Sequence, residues 1–167
     1  ISEITRDYAK GFGDITTRQD IQLHYIHLSK TVEVLSKLKD FGLTSLEACG
    51  DTPRNVVGCA VAGVDHEELF DVSSVIQDVS NFFLGNKEFS DLPRKYKICI
   101  SGCKTSCTQP EINDVGLVGV LKKVNGIDQP GFNIRVGGGL STIPHFSKWI
   151  NVWIPVEKTI PVVKAIT

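Results

Sequence analysis

Residues 91–107, with the sequence DLPRKYKICISGCKTSC, constrain the fold of this chain more than any other stretch. Pro93 ends the preceding linker, and the apolar run that follows predicts a buried strand over residues 96–101. Alternation along that strand places Lys95 and Lys97 on one face. Two ammonium groups on one face repel each other unless an anion lies between them. The stretch therefore predicts a strand that presents positive charge to a small anion.

Length and net charge restrict the class of protein. The 167 residues, 41% of them hydrophobic, are enough for one core or for two lobes that share it. The net charge of −1 argues against nucleic acid as the main partner, because such binding needs a clustered positive surface. No run of about 18 apolar residues is present, so we expect no membrane span. The chain begins at Ile1 and contains no methionine, which favours a segment of a longer polypeptide.

The cysteines indicate a reducing compartment. They number five, which is odd and too few for a disulfide scaffold of this length: Cys49, Cys59, Cys99, Cys103 and Cys107. We therefore expect reduced thiols in a cytoplasmic protein. The Cys-x3-Cys spacing of Cys103 and Cys107 suits either a metal site or the remnant of one.

The first part of the chain predicts a strand followed by a helix, as in an α+β unit. Alternating residues predict a strand from about residue 17 to residue 28. Arg18, Gln22 and His24 would share one face of it, which is either an ordinary solvent-exposed face or a row of ligand donors. Apolar residues at spacings of three, beginning at Val32, predict a helix over residues 29–41.

Residues 46–64 are apolar but rich in glycine and proline, so we expect an irregular loop. A long apolar loop of this kind commonly forms a wall against a ligand. Arg54 lies in its middle. A lone arginine in a loop is usually a surface residue, but Pro53 and the apolar residues after Arg54 raise the chance that it points into a site.

The remaining elements are predicted from periodicity and turn residues. They are a helix over 71–84 with Asp71 as its N-cap, strands over 112–124, 131–136 and 152–154, and a final helix over 156–166 disturbed by Pro161. Gly42 and Gly85 would follow the first two helices as C-terminal caps, and Asn125-Gly126 would form a turn. Gly116 and Gly119 mark places where another backbone or a flat ligand comes close. Gly137, Gly138 and Gly139 follow a strand, and their amides would form a cradle for a carboxylate or phosphate.

Five blocks of the chain carry a resemblance to a known family: TTRQDIQLHYI (16–26), EACGDTPRNVVGC (47–59), LPRKYKICISGC (92–103), INDVGLVGV (112–120) and GFNIRVGGGLS (131–141). In this order, and with these gaps, they resemble the first half of the sirohaem-dependent sulfite and nitrite reductases. The resemblance covers most of the chain.

The resemblance implies an α+β fold, with part of a ferredoxin-like half-domain in residues 1–46 and a larger α/β sirohaem domain in residues 47–167. It implies sirohaem and a [4Fe–4S] cluster as cofactors, joined by a shared cysteine thiolate that the second half supplies. The implied reaction is the six-electron reduction of sulfite to sulfide or of nitrite to ammonia. An electron donor such as ferredoxin or a flavoprotein is implied, together with the second half of the enzyme or a partner chain.

The resemblance also assigns roles to residues. Arg54, Lys95 and Lys97 match the cationic residues that hold the substrate on the open face of the haem. Arg18, Gln22 and His24 fall in the block that lies against the macrocycle, where Arg54 would also contribute. The amides of residues 137–139 would serve the carboxylates of the same ligand.

The cysteines depart from the family pattern, in which Cys-x5-Cys and Cys-x3-Cys of the second half hold the cluster. Cys103 and Cys107 have the second spacing, and Cys59 matches one position of the first, but Pro53 occupies the other. Either these residues are the remnant of a duplicated cluster site, or Cys49 replaces the missing ligand. Two other functions remain open: an anion- or tetrapyrrole-binding module without redox chemistry, and a small domain whose cysteines hold a metal of their own.

Overall fold

The computed structural model describes all 167 residues, and they form two compact units, Ile1–Ala48 and Cys49–Thr167. We refer to them as the N-terminal unit and the C-terminal unit. The boundary expected from the sequence lies two residues earlier, between residues 46 and 47. None of the helices in either unit is both long enough and apolar enough to cross a membrane.

The N-terminal unit is small and has a thin core. Its elements are α1 (Ser2–Tyr8), β1 (Gly13–Ile15), β2 (Ile21–Leu23) and α2 (Thr31–Asp40), the last preceded by a 3₁₀ turn over Leu28–Lys30. The two strands pair antiparallel, with Gly13 opposite Leu23. The buried apolar residues of the unit are Ile4, Ala9 and Val34. Neither α1 nor β1 was expected from the sequence.

The predicted strand over residues 17–28 is wrong in its extent, because only Ile21–Leu23 is extended and paired. Gln19 and Tyr25 have positive φ angles of 59° and 61°, which end an extended segment on both sides. Before the strand, the side-chain oxygen of Thr16 accepts the amide N–H of Arg18 at 3.3 Å, so that a turn replaces the strand. The single strand face predicted for Arg18, Gln22 and His24 is therefore absent.

Helix α2 forms where the sequence predicts a helix, but a different face of it is buried. Gly42 follows the helix with a φ angle of 70°, the left-handed conformation that favours glycine. Val34 is buried, whereas Val32 is 79% exposed. Val34 and Leu38 line an apolar groove together with residues of β2. The buried face of α2 is therefore the face that lies next to the β1–β2 hairpin.

The C-terminal unit is built on a four-stranded sheet. Its strands are β3 (Ile98–Ser101), β4 (Val115–Val124), β5 (Ile127–Val136) and β6 (Lys148–Pro155), in that spatial order. β3 pairs parallel with β4, and the other two pairs are antiparallel. Asn125 and Gly126 connect β4 to β5 with φ angles of 53° and 83°, as expected for a two-residue hairpin turn. Every strand predicted in this region exists, with shifted ends.

Two helices pack on the sheet, α3 (Ser73–Phe83) and α4 (Thr159–Ile166), the second after a 3₁₀ turn over Val156–Lys158. They form one core with the sheet, whose fully buried members include Val79, Phe132, Ile134, Leu117 and Val163. The disturbance expected at Pro161 is absent, because this residue lies in the first turn of α4. Amides there have no partner within the helix, so the missing N–H of proline costs nothing.

The start of α3 differs by two residues from the prediction. Val72, not Asp71, occupies the N-cap position, and no side chain caps the helix from there. Asp71 nevertheless accepts the amide N–H of Ser73 at 2.8 Å, so the predicted carboxylate still satisfies a donor of the first turn. Gly85 follows the helix with a φ angle of 74°, as predicted for a residue at the end of a helix.

The glycines of β4 are places of close backbone approach, as expected. A Cβ atom on Gly116 would lie 2.4 Å from Cβ of Pro110, and one on Gly119 would lie 2.9 Å from the carbonyl oxygen of Ser101. Atoms of the chain itself therefore fill the space next to both glycines. Of the two explanations offered by the sequence, close backbone packing accounts for these glycines without a flat ligand.

Candidate functional site

The loop that carries Arg54 runs along the free edge of β3. Val57 forms a parallel bridge with Cys99; its amide donates to the carbonyl of Ile98 at 3.1 Å and its carbonyl accepts from Ile100 at 2.9 Å. Three residues earlier, the amide of Arg54 donates to the carbonyl of Tyr96 at 2.8 Å. The backbone of Arg54 is therefore held beside the segment that carries the two lysines.

Lys95 and Lys97 precede β3 rather than lying within it. The φ angle of Lys95 is 68°, which interrupts the alternation of an extended chain, so the predicted shared strand face is wrong. Lys97 is held on both sides of its peptide: its amide donates to the carboxylate of Asp114 at 2.8 Å, and its carbonyl accepts from Val115 at 3.0 Å. The two lysines nevertheless lie next to Arg54 along paired backbone.

The charges in this region are unevenly compensated. Arg94 forms an ion pair with Asp51 at 3.1 Å, and this hydrogen bond raises the pKa of Arg94. No carboxylate lies within ion-pair distance of Lys95 or Lys97, the first exposed and the second half-buried. Both ammonium groups are therefore without a counter-charge from the chain itself.

The predicted cradle of free amides at residues 137–139 is wrong. The amide of Gly137 donates to the carbonyl of Asp114 at 2.9 Å, that of Gly138 to Asn113 at 3.0 Å, and that of Gly139 to His145 at 2.9 Å. All three amides are therefore used by the protein's own backbone. A Cβ atom on Gly138 would lie 2.5 Å from the carbonyl of Glu111, so this glycine is required for packing.

Arg135 holds the loop that contains these glycines, and the sequence reading did not single it out. Its Nε donates to Oγ of Ser147 at 2.9 Å, one terminal nitrogen donates to the carbonyl of Ser147 at 2.8 Å, and the other lies 3.6 Å from a carboxylate oxygen of Glu111. The guanidinium also lies 4.6 Å from the ring centre of Trp149. The sequence signal that could have identified Arg135 is a charged residue within the mostly apolar strand GFNIRV.

The donors of the N-terminal unit are not aligned as predicted. Gln22 lies in β2 opposite Asp14, and His24 follows the end of that strand. Nε2 of His24 lies 2.8 Å from the carboxylate of Asp14. Arg18 is half-buried in the turn before the strand. Asp14, a partner for His24 that the sequence reading missed, therefore belongs to this set.

Only two of the four candidate metal-binding cysteines meet. The sulfur atoms of Cys59 and Cys107 lie 3.4 Å apart, and the hydrogen bond between them raises the pKa of Cys107. Cys103 is buried against the hydroxyl of Ser101, which lowers its pKa, and Cys49 is exposed. Nowhere do three cysteine, histidine or carboxylate side chains converge on one point. The four-cysteine site is therefore not assembled, and these residues do not fit an iron–sulfur cluster.

The fold and the site together define a class of protein, an α+β chain of two units whose larger unit presents cationic side chains at the edge of a mixed sheet. Known families narrow this class. Residues 1–41 match the family described as "Nitrite/Sulfite reductase ferredoxin-like half domain". Residues 49–167 match the family described as "Nitrite and sulphite reductase 4Fe-4S domain". The chain belongs to the nitrite and sulfite reductase family, as the resemblance implied.

Individual relatives agree with this assignment. The assimilatory ferredoxin-dependent nitrite reductase of Haloferax mediterranei is 40% identical over 95% of this chain, and a sulfite reductase [ferredoxin] of Mycobacterium tuberculosis is 38% identical over all of it. The solved structure of the Mycobacterium tuberculosis NirA protein matches 99% of the chain with a TM-score of 0.89 and 38% identity. This chain spans 29% of the length of each of these proteins.

A more distant structure supports the fold alone. Dissimilatory sulfite reductase I matches 98% of this chain and 55% of its own with a TM-score of 0.77, although only 11% of the residues are identical. At that identity the agreement concerns the path of the backbone.

Proposed function

We propose that this chain is part of a sirohaem-dependent reductase that converts sulfite to sulfide, or nitrite to ammonia, by six electrons. The observation that carries the proposal is the pair of lysine ammonium groups without carboxylate partners, Lys95 and Lys97, beside the tethered backbone of Arg54. The names of its relatives, ferredoxin-dependent nitrite reductase and sulfite reductase, support the choice of reaction.

In this function the three cationic side chains bind a small oxyanion, and the two lysines also protonate it. The planar guanidinium of Arg54 suits two oxygens at once, and the compact ammonium groups of Lys95 and Lys97 can each donate a proton. Each oxygen that leaves as water takes up two protons, so proton donors next to the substrate accelerate the reaction. They also stabilise the negative charge that develops as electrons arrive.

Sirohaem, when bound, supplies the electrons at the substrate and carries carboxylates that need donors. The donor set of this chain fits such a group, because its members are exposed or half-buried side chains that carry N–H donors. We assign Arg18, Gln22, His24 and Arg54 to the carboxylates of the macrocycle. The loop at Gly137–Gly139 would contribute its shape and not its amides, since these are already bonded.

The iron–sulfur cluster belongs, in this proposal, to the part of the enzyme that this chain does not include. We assign none of its ligands to Cys49, Cys59, Cys103 or Cys107, because these thiols do not converge. The electron donor would be ferredoxin or a flavoprotein. The five cysteines, none of them in a disulfide, fit a reducing compartment such as the cytoplasm.

The test uses the complete polypeptide, purified without oxygen. We expect a visible spectrum with a Soret band and a red band of an isobacteriochlorin, about five irons per chain with acid-labile sulfide, and methyl viologen-driven reduction of sulfite or nitrite. A colourless protein without iron would overturn the proposal. A coloured protein that reduces neither anion would leave tetrapyrrole binding and remove the catalytic role.

A further inference from the structure

Cys59 and Cys107 form a thiol pair that neither the core nor the basic site (Arg54, Lys95 and Lys97) explains. Their sulfur atoms lie 3.4 Å apart although 48 residues separate them in sequence. Cys107 is exposed and Cys59 is half-buried, so solvent and small molecules reach the pair. Both residues lie in irregular segments, which can adjust without breaking a helix or a strand.

The other thiols are not placed to compete. Cys99 lies in β3 and is fully buried, and Cys103 is buried with its sulfur 3.4 Å from the hydroxyl of Ser101. Cys49 is exposed and takes part in no cluster of three cysteine, histidine or carboxylate side chains. The geometry therefore selects one pairing out of the ten that five cysteines allow.

The pair joins two segments that already run side by side. Cys59 follows Val57, which bridges the edge of β3, and Cys107 lies in the loop that leaves the same strand. The two thiols lie beyond the C-terminal end of the segment that pairs with β3. The hydrogen bond between the backbones of Arg54 and Tyr96 lies at the N-terminal end of that segment. A bond between the sulfurs would strap the edge segment to β3 at the end away from the cations.

We propose that Cys59 and Cys107 are a reversible dithiol–disulfide couple that exchanges with a low-molecular-weight disulfide such as oxidised glutathione. The thiolate of one cysteine of the pair attacks one sulfur of the small disulfide, forms a mixed disulfide with it and releases one small thiol. The thiolate of the other cysteine then displaces the second small thiol and forms the Cys59–Cys107 bond. Two electrons pass from the protein sulfurs to the small disulfide, and the two protons of the protein thiols go to its products.

Closure needs a short movement of the sulfurs, from 3.4 Å to the bond length of about 2.05 Å, which rotation of the two side chains can supply. The consequence of closure is local. Few hydrogen bonds attach the segment between Arg54 and Cys59 to the edge of β3. A covalent bond at its end would therefore make local detachment of this segment from β3 less frequent. This proposal does not depend on the cofactor or on the reaction.

The experiment treats the complete polypeptide, reduced, kept with a metal chelator and freed of oxygen, with a mixture of oxidised and reduced glutathione. After alkylation of free thiols, peptide mapping should give a species that links Cys59 to Cys107 and lacks two hydrogens. Cys59→Ser and Cys107→Ser should each remove it, and the matched control Cys49→Ser should retain it. Hydrogen exchange at the amides of Val57 and Ile100 should slow at least about threefold on oxidation.

Three results would overturn the proposal: a stable glutathione adduct on Cys107 without the linked peptide, a linkage that uses Cys49 or Cys103 instead, or unchanged exchange at the two amides. A metal that stays with the reduced protein through chelation, and is lost in Cys59→Ser, would assign the pair to metal binding instead. Mapping of the unmodified protein decides the matter even where a serine variant fails to fold.

Discussion

At the scale of single residues, Asp114 connects the segment of Lys97 to the loop that begins at Gly137. Its carboxylate accepts the amide of Lys97 at 2.8 Å, and its carbonyl accepts the amide of Gly137 at 2.9 Å. The carboxylate acts here as an acceptor, which an asparagine oxygen can replace. Asp114 is therefore a positioning residue for Lys97, through the backbone and not through the ammonium group.

The proposed enzyme should respond to this connection. We expect Asp114→Ala to lower the rate of anion reduction by about tenfold to 10²-fold, because a small displacement of a catalytic group is costly. Asp114→Asn should recover most of the rate. Steady-state kinetics with both anions, together with the sirohaem content of each variant, provide the measurement. An asparagine variant as slow as the alanine variant would show that charge, not positioning, matters at this residue.

Lys97 itself should affect turnover far more than folding. Its ammonium group has no carboxylate partner, so its loss removes little native stability, whereas the developing charge of the substrate loses a donor. We expect Lys97→Ala to reduce turnover by about 10²-fold or more, with unchanged thermal unfolding. Lys104→Ala, an exposed lysine after β3, is the control. Equal turnover of Lys97→Ala and the unmodified enzyme with both substrates would exclude Lys97 from the active site.

Asp71 should contribute to the loss of folding stability as the pH falls into the acid range. Hydrogen bonds from the side chain and the amide of Ser73 lower the pKa of its carboxyl below the usual value. A group with a depressed folded-state pKa stabilises the fold above its unfolded pKa of about 3.8, and this contribution disappears as the pH falls through the lower folded-state value.

Replacement of this carboxylate should make folding stability less dependent on pH in the acid range. We expect the urea midpoint of Asp71→Asn to fall less steeply below about pH 4 than that of the unmodified protein. Asp78→Asn, on the exposed side of α3, is the control and should leave the slope unchanged. If the urea midpoints of Asp71→Asn and of the unmodified protein fall equally steeply with pH, Asp71 does not contribute to the acid dependence of stability.

At the scale of elements, the close packing of β4 against the segment that leaves β3 should tolerate no side chain. A Cβ atom on Gly119 would lie 2.9 Å from the carbonyl of Ser101 and 3.0 Å from Gly102, and both neighbours are backbone atoms. We expect Gly119→Ala to lower the free energy of unfolding by about 1–3 kcal/mol.

Gly139→Ala is the matched control, because nothing lies within 4 Å of the position of its Cβ atom. Denaturant unfolding of both variants provides the measurement. Equal midpoints for the two variants would mean that the segment after Ser101 moves aside without cost, and that the contact does not restrict β4.

The elements that sequence patterns predicted best are those whose signals are local. α2 and α3 end at glycines with positive φ angles, Gly42 and Gly85, and the hairpin turn at residues 125–126 uses Asn-Gly as expected. Each of these signals depends on the conformational preference of one or two residues. Pairing partners then decided the ends of the strands, and no local pattern encodes those partners.

The predictions that were wrong depended on distant parts of the chain or on rare conformations. Gln19 and Tyr25 adopt positive φ angles that alternation cannot reveal, and the same holds for Lys95. The amides at residues 137–139 bond to residues 113, 114 and 145, which a run of three glycines does not predict. The cationic candidates were chosen from the sequence by their type, whereas Asp114, which accepts the amide of Lys97, and Arg135, which binds Ser147, were not singled out.

At the scale of the whole molecule, the buried apolar residues are divided very unequally. Nearly all of them belong to the C-terminal unit, where two helices and a four-stranded sheet share one core. The N-terminal unit buries Ile4, Ala9 and Val34 and leaves large apolar residues open, among them Ile15, which is 87% exposed. Chains of this length rarely bury enough apolar surface to fold without help.

The two units should therefore differ in their ability to fold alone. We expect residues 49–167, expressed as a separate polypeptide, to unfold in one cooperative transition in urea, followed by circular dichroism and tryptophan fluorescence. Residues 1–48 should give no cooperative transition, because three buried side chains cannot offset the chain entropy. A sharp transition in the short segment, or its absence in the long one, would show that stability is not distributed as the buried residues indicate.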